Sequence, residues 1–168
     1  MQRRTILCTA LAFALAGCAA HEPGKEHQGN QAMNLHAILS VDASHDKVLA
    51  TLRFENRGER RVWLPNAAAA DTRLTNRLFE LREHPGGAEV AYLGPMVKRL
   101  PFTAADYVEL APHSAHTHTI DITRYYAFKP GQHTYEIRWN GLALADAKQL
   151  DAFTEVAAAP VMFTHTAP

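Results

Sequence analysis

Cysteine is scarce in this sequence, with only two among 168 residues, at positions 8 and 18. The rest of the chain therefore holds neither a disulfide nor a thiol nucleophile and depends on its hydrophobic core. Positive charge is not in excess, because basic and acidic residues number 17 each, which argues against nucleic acid as a partner. No apolar run reaches the roughly 20 residues of a membrane-spanning helix, which excludes a polytopic membrane protein. The hydrophobic content of 47% is that of an ordinary globular protein.

Common catalytic motifs are missing as well. A zinc protease of the His-Glu-x-x-His type needs both histidines on one helix, and the only His-Glu pair here, at His21, is followed by Pro23. None of the three serines lies in Gly-x-Ser-x-Gly, and no glycine-rich phosphate loop of a common type occurs. We therefore interpret the protein as non-enzymatic and expect no catalytic residue.

The first 17 residues have the pattern of an export signal. Two arginines, Arg3 and Arg4, precede an apolar stretch at 6–16, which is too short to span a bilayer. The stretch ends in Leu-Ala-Gly-Cys at 15–18, which resembles the lipobox of bacterial lipoprotein signal peptides. The resemblance implies that Cys18 is acylated and that the signal is cleaved before it. An ordinary secretory signal with a coincidental cysteine is the alternative.

The residues after Cys18 predict how the protein is held at the membrane. By the same resemblance, Ala19 after the cysteine implies export to the outer membrane, so we expect a lipid-anchored protein on its periplasmic face. Residues 19–33 are rich in Gly, Gln, His and charge, and a flexible chain of this length spans on the order of 20 Å. The predicted organisation is a signal peptide at 1–17, the acylated cysteine and tether at 18–33, and one folded domain at 34–168.

From residue 34 the apolar residues alternate as they do in β-strands. The strongest turn signal is Pro-Gly-Gly at 85–87, which separates two alternating runs at 78–83 and 89–93. A short segment at 143–150 is a candidate for helical turns. The pattern predicts an all-β fold, an immunoglobulin-like antiparallel β-sandwich of about seven or eight strands. The other predicted strands cover 35–41, 48–55, 61–65, 105–110, 116–122, 135–139 and 161–164.

The segment around Tyr135 adds a more specific signal. Gly131 lies in a turn shortly before this tyrosine, which begins an alternating run through Ile137 and Trp139. The arrangement resembles the tyrosine corner of immunoglobulin-like sandwiches, and it predicts that the Tyr135 hydroxyl bonds main chain near the turn. A plain hairpin is the alternative.

Several motifs between positions 92 and 139 occur at suggestive spacings. They are Tyr92-x-Gly94-Pro95-x-x-Lys98-Arg99, Thr103-x-x-Asp106-x-Val108-x-Leu110-Ala111-Pro112, Ile120-Asp121-Ile122, the pair Tyr125-Tyr126, and Gly131 with Tyr135. Together they resemble the sandwich domain that precedes the protease domain of deuterolysin-like peptidyl-Lys metalloendopeptidases. In that family the domain is a propeptide that covers the catalytic domain, which this sequence lacks. The sequence departs from the family at His113, where glycine is usual.

The resemblance implies a protein partner. We predict a membrane-tethered, non-catalytic protein-binding module of the envelope, possible forms of which are a protease inhibitor and an immunity-like protein. The predicted contact is the loop at 94–101, whose prolines limit the entropy lost on docking. A lysine-selective protease would offer an acidic pocket to Lys98, whereas the alternative is that the loop cations are solvated or pair with Asp106 and Glu109. The predicted contact residues are Pro95, Met96, Lys98 and Arg99.

A second class of function rests on histidine. His116 and His118 share one face of a predicted strand, and with His113 from the preceding turn they could bind one Cu or Zn ion. The protein would then be a periplasmic metal-binding lipoprotein; otherwise we expect no cofactor. The pair also shares the parity of Ile120 and Ile122, so packing at the rim of the sandwich is the alternative. A structural lipoprotein that scaffolds an envelope complex is the third class.

Overall fold

Ten β-strands, a one-turn helix and a 3-10 turn form the regular structure in a computed structural model, which describes residues 33–98 and 100–168. The predictions for the signal peptide, Cys18, the tether up to residue 32 and Arg99 lie outside the described residues. No helix within the described ranges is long and apolar enough to cross a membrane. In chain order the elements are β1 (Leu35–Asp42), β2 (Leu49–Asn56), β3 (Val62–Pro65), α1 (Asn66–Ala69), β4 (Glu80–His84), the 3-10 turn Ala104–Asp106, β5 (Tyr107–Leu110), β6 (Ser114–Asp121), β7 (Gly131–Arg138), β8 (Asn140–Leu144), β9 (Phe153–Ala157) and β10 (Val161–Ala167).

One sheet is built from β1, β2 and β6, with β2 in the middle and both pairings antiparallel. Its register places Leu52 of β2 between Leu39 of β1 and His118 of β6. Because side chains alternate along a strand, Ala50, Leu52 and Phe54 all point to one face, where they are fully buried. The predicted period-two pattern thus builds one wall of the core.

Two further sheets, ordered β10-β7-β4 and β5-β3-β8-β9, share long interrupted strands. Only Trp139 separates β7 from β8. Val161 pairs with Ile137, and Ala157 pairs with Asn140. Four positions on one strand therefore match three on the other, so the register shifts by one residue beside Trp139. Such a shift is a β-bulge, and it lets β7–β8 and β9–β10 continue past each other as two long strands.

Side chains from all three sheets meet in one hydrophobic core. Phe54 of the first sheet packs edge-on against Trp139, with 5.3 Å between ring centroids. Gly141 leaves room for this indole, because a Cβ there would stand 2.3 Å from a Trp139 ring carbon. The predicted all-β antiparallel sandwich is confirmed, and the strand number is ten because two long strands are interrupted.

The predicted hairpin forms in part. Its first run contains β4, and the turn at 85–87 brings residues 88–90 back against it, with Glu83 N donating to Ala88 O at 2.8 Å and Val90 N to Leu81 O at 2.9 Å. From residue 91 the second run bonds the segment at 125–127 instead, for example from Ala127 N to Ala91 O. The prediction of helical turns at 143–150 is wrong, since the first residues of this segment complete β8. Strand β9 follows, and it has little sequence signal because Val156 alone of its side chains is buried.

Two buried tyrosine hydroxyls fasten loops to the core. The Lys129 amide donates to the Tyr135 hydroxyl at 3.0 Å, which confirms the predicted corner. The Tyr126 hydroxyl accepts from Phe79 N at 3.2 Å and donates to Phe79 O at 2.7 Å. Burial raises the pKa of the Tyr126 hydroxyl far above its usual range, so this hydroxyl keeps its proton.

Candidate functional site

Exposed apolar side chains are concentrated on the 94–101 loop and on the residue at each end of it. Leu100 is 86% exposed, Met96 73% and Leu93 63%, while Val97 and Phe102 are about half exposed. This stretch carries five of the nine large hydrophobic residues that are exposed within the described ranges. Several exposed apolar side chains on one short segment are typical of an interaction site.

The chain that enters the loop is held by main-chain hydrogen bonds to two different segments. Leu93 N donates to Tyr125 O at 2.8 Å, just before the loop begins. Val97 N donates to Thr75 O at 3.0 Å, within the loop itself. The first half of the loop is therefore fixed at two points before the chain reaches Lys98.

Two tyrosine rings support the first turn of the loop. Tyr92 and Tyr125 are stacked, with 6.4 Å between ring centroids and 9° between ring planes. Gly94 lies against both rings, and the Tyr92 hydroxyl donates to the carbonyl oxygen of Pro95 at 3.3 Å. Burial raises the pKa of the Tyr92 hydroxyl above its usual value of 10.0, so the hydroxyl stays a donor at neutral pH.

The chain that leaves the loop is fixed by the 3-10 turn Ala104–Asp106. The Asp106 carboxylate accepts hydrogen bonds from the amide of Thr103 at 2.8 Å and from its hydroxyl at 2.9 Å. The side-chain amide of Asn66, at the start of α1, donates to Ala105 O at 3.0 Å. Strand β5 follows at once and pairs with β3. The loop is thus clamped on both sides.

Lys98 is exposed and has no ion-pair or side-chain hydrogen-bond partner in the described part of the chain. The two carboxylates that were candidates to pair with it have other contacts. Glu109 lies 3.2 Å from Arg61 Nε, and Asp106 accepts the two bonds from Thr103. The ammonium group of Lys98 is therefore available to a partner, while Pro95 and Met96 are exposed beside it.

A groove of about 590 Å³ lies beside the first half of the loop. Its wall includes an ion pair between Arg77 and Glu89. A groove of this size next to exposed anchors can receive a side chain of a partner, as pockets at the centre of protein interfaces do. The groove is lined by Arg77, Glu89, Ala91, Tyr92 and Met96.

The loop is anchored at the end of the sandwich opposite to the point where the chain enters it. Strand β1 begins at Leu35 and ends at Asp42, which pairs with Leu49, and Leu49 pairs with Asp121. Tyr125, which anchors the loop, follows Asp121 by four residues. An eight-residue strand covers roughly 25 Å, so about that distance separates the chain entry from the anchor of the loop.

His116 and His118 lie on one face of β6, in the same row as buried Ile120, as their parity predicts. Their Nε2 atoms lie 2.6 Å from Ala69 O and 3.0 Å from Asp71 O respectively. A carbonyl oxygen only accepts, so each Nε2 carries the proton. The two imidazoles therefore fasten α1 and the residues after it to β6.

His113 has a different partner from the other two histidines. It lies in the turn before β6 with a positive φ of 53°, and its Nε2 is 3.1 Å from the carboxylate of Glu59. Across residues 33–98 and 100–168 no group of three or more His, Cys, Asp or Glu side chains is arranged to hold a metal ion. The structure brings His116 and His118 onto one face but forms no three-ligand group with His113.

Some supports of the loop have no local signal in the sequence. Asn66 and Thr75 reach the loop only because the chain folds back onto it from 20 or more positions away. The exposure of Leu100 and Phe102 could have been suspected, since these apolar residues flank Pro101 in a segment without strand periodicity.

No family model and no curated protein matches this chain. Among solved structures, it is similar to the X-ray structure of target SoR45 of the Northeast Structural Genomics Consortium. The two share 14% sequence identity and a TM-score of 0.38, over 82% of this chain and 86% of that one.

Proposed function

We propose that this protein is a membrane-tethered, non-catalytic protein-binding module of the bacterial envelope. In this proposal the acylated Cys18 holds the protein at the periplasmic face of the outer membrane. The 94–101 loop holds the partner. A protease inhibitor or an immunity-like protein is the specific form we favour, on the basis of the propeptide-like motifs between positions 92 and 139.

The observation that carries the proposal is that the exposed apolar side chains lie on a loop that is clamped at both ends. Exposed apolar surface is costly in water, and burying it on a partner is favourable by roughly 25 cal/mol for each Å². The contacts of Val97 with Thr75 and of Thr103 with Asp106 restrict the loop before binding. Less conformational entropy is then lost on docking, so more of the burial energy contributes to affinity.

The placement of the loop leaves it accessible to a partner. The chain enters the domain at Leu35, roughly 25 Å from the loop's anchor at Tyr125, so a partner bound at the loop would contact the end of the sandwich opposite to that entry.

The metal-binding alternative is less well supported. The Nε2 atoms of His116 and His118 already donate to main-chain carbonyls, so both bonds would have to be given up before these atoms could bind Cu or Zn. No contact of the described residues favours the scaffold alternative over the binding module.

The test compares envelope proteins that bind the mature lipidated protein in detergent. In the loop variant Met96→Asp, a charge replaces the exposed apolar tip, and we expect the partner to be lost. The matched control is Met162→Asp, because Met162 is 46% exposed on β10, away from the loop. The proposal fails if both variants retain the same bound proteins as the wild type.

A further inference from the structure

We propose that two copies of this protein associate edge to edge through β1, so that their first sheets join into one antiparallel sheet. The inference goes beyond the proposed function, because it concerns a different part of the domain from the 94–101 loop. The first sheet has the order β1-β2-β6, and the chain reaches the loop's anchor at Tyr125 from β6, the edge opposite to β1.

The outer edge of β1 offers main-chain groups without a partner. Arg57 N donates to Asn34 O at 2.8 Å, so these two residues form a hydrogen-bonded pair in the register of β1 with β2. Bonded and non-bonded pairs alternate along an antiparallel ladder, so the even-numbered residues of β1 bond β2. The odd-numbered residues direct their N–H and C=O groups away from β2, and within residues 33–98 and 100–168 no other strand pairs with them. They are Leu35, Ala37, Leu39 and Val41.

Strand β1 also lacks the features that usually protect an edge strand. It contains neither proline nor lysine, and its eight-residue register with β2 runs without a bulge. Ile38, near its middle, is 45% exposed on the outer face of the sheet. A long, regular edge with an exposed apolar residue pairs readily with another strand.

The other edges are less suited to a second copy. The imidazoles of His116 and His118 fasten α1 and the residues after it against β6. Pro160 comes directly before β10 and has no N–H to donate. In β9, the register that pairs all five residues would place two Glu155 carboxylates opposite each other, and like charges in that position repel.

The sequence of β1 fits an antiparallel copy of itself in the register that places Ile38 opposite Ile38. The four outward-directed residues then pair only with one another, Leu35 with Val41 and Ala37 with Leu39. This gives four pairs across the two strands, and each pair forms two bonds, so eight main-chain hydrogen bonds result. The two exposed Ile38 side chains cover each other on the outer face, while the other four residues extend the inner, apolar face.

The polar side chains of β1 and of the residue before it are complementary in the same register. Asp42 of one copy lies opposite Asn34 of the other and diagonally next to its His36. The amide of Asn34 and the ring of His36 both donate hydrogen bonds, and the Asp42 carboxylate accepts them. A parallel arrangement would instead place the two Asp42 carboxylates side by side. The charges therefore favour the antiparallel pair.

The resulting dimer has a twofold axis through the middle of the joined sheet, whose strand order is β6-β2-β1-β1-β2-β6. Strand β6 stays outermost in both copies, so the edge that leads to Tyr125 is not covered. Each dimer thus presents two 94–101 loops.

Cysteine cross-linking of the mature lipidated protein in detergent tests the register. Opposite residues of a non-hydrogen-bonded pair have Cα atoms about 4.5 Å apart, which a disulfide can bridge, so Ile38→Cys should link two copies under mild oxidation. Ser40→Cys is the matched control, because it is exposed on the same face of the same strand, but its two copies would lie more than about 13 Å apart. The protein without an added cysteine controls for links through Cys8 or Cys18.

The mass of the protein without cross-links is the second readout, measured by sedimentation in detergent. We expect the wild type to have the mass of two chains. Ile38→Lys should have the mass of one chain, because it places two ammonium groups opposite each other at the centre of the contact. Leu142→Lys is the matched control and should remain dimeric, since Leu142 is 40% exposed on β8, which lies inside its sheet.

Three results would overturn the inference: a monomeric wild type, equal linking of Ile38→Cys and Ser40→Cys, or a dimer that survives Ile38→Lys. The contact does not include the 94–101 loop, so the loop variant Met96→Asp should be dimeric like the wild type. Failure of the dimer would leave the binding-module proposal as it stands.

Discussion

The side chain of Tyr92 lies directly against Gly94, so that a Cβ on Gly94 would stand 2.3 Å from the tyrosine hydroxyl oxygen. The same hydroxyl donates to the carbonyl of Pro95, the next residue of the loop. The glycine therefore allows the tyrosine ring to pack under the loop and to bond its backbone. This contact links the loop to the body of the sandwich through the stack of Tyr92 on Tyr125.

We expect Gly94→Ala to destabilise the domain by about 1–3 kcal/mol, because the added methyl group overpacks the tyrosine stack. Urea denaturation of the mature protein measures the change. Gly58→Ala is the matched control, since a Cβ there meets its nearest atom at 3.4 Å, an ordinary contact. Equal stability of the two variants would show that the tyrosine ring moves aside without cost.

His116→Ala should destabilise the fold by about 1–2 kcal/mol even when metal is removed, because the hydrogen bond to Ala69 O is lost. His36→Ala, on the exposed side of β1, is the control and should change stability by less than about 0.5 kcal/mol. Thermal unfolding with EDTA and with zinc provides the comparison. If His116→Ala leaves the stability unchanged and zinc stabilises the wild-type protein, the result would favour the metal-binding alternative.

Tyr135→Phe should cost about 1–2 kcal/mol of unfolding free energy, because the Lys129 amide loses its acceptor. Tyr126→Phe should cost more, since its hydroxyl both accepts from and donates to Phe79. Denaturation curves of the two variants rank the effects. If Tyr135→Phe were as stable as the wild type, the corner bond would contribute nothing to the fold.

Cys18→Ser should block acylation and normal processing, so that the precursor keeps its signal peptide. Radiolabelled fatty acid and the mass of the protein in membrane fractions distinguish the two forms. Finding a processed but unacylated wild-type protein in the periplasmic fraction would contradict the lipoprotein interpretation.

The parts of the fold that follow from local pattern could be predicted, and those that depend on contacts distant in sequence could not. Period-two alternation predicted β2, and the Gly131–Tyr135 spacing predicted the corner bond. The residues at 89–93 also alternate, but only Glu89 and Val90 complete the predicted hairpin with β4, and the chain from Ala91 on bonds the segment at 125–127.

The candidate site, too, could be predicted only in the parts that follow from local pattern. The prolines and cations of the 94–101 loop are visible in the sequence, whereas its clamps at Thr75 and Asn66 depend on how the chain folds back. The histidines illustrate the same limit. Parity placed His116 and His118 correctly on one face, but only the fold reveals that their partners are the carbonyls of Ala69 and Asp71.

The most direct measurement of the central claim is photo-crosslinking in living cells, with a photoreactive residue placed at Met96 or, as the control, at Met162. Both side chains are exposed, but only Met96 lies on the loop. We predict a discrete adduct with one envelope protein at position 96, none at position 162, and loss of the adduct when Lys98→Ala is combined with the probe. Adducts at both positions, or at neither, would contradict the assignment of the 94–101 loop as the binding surface.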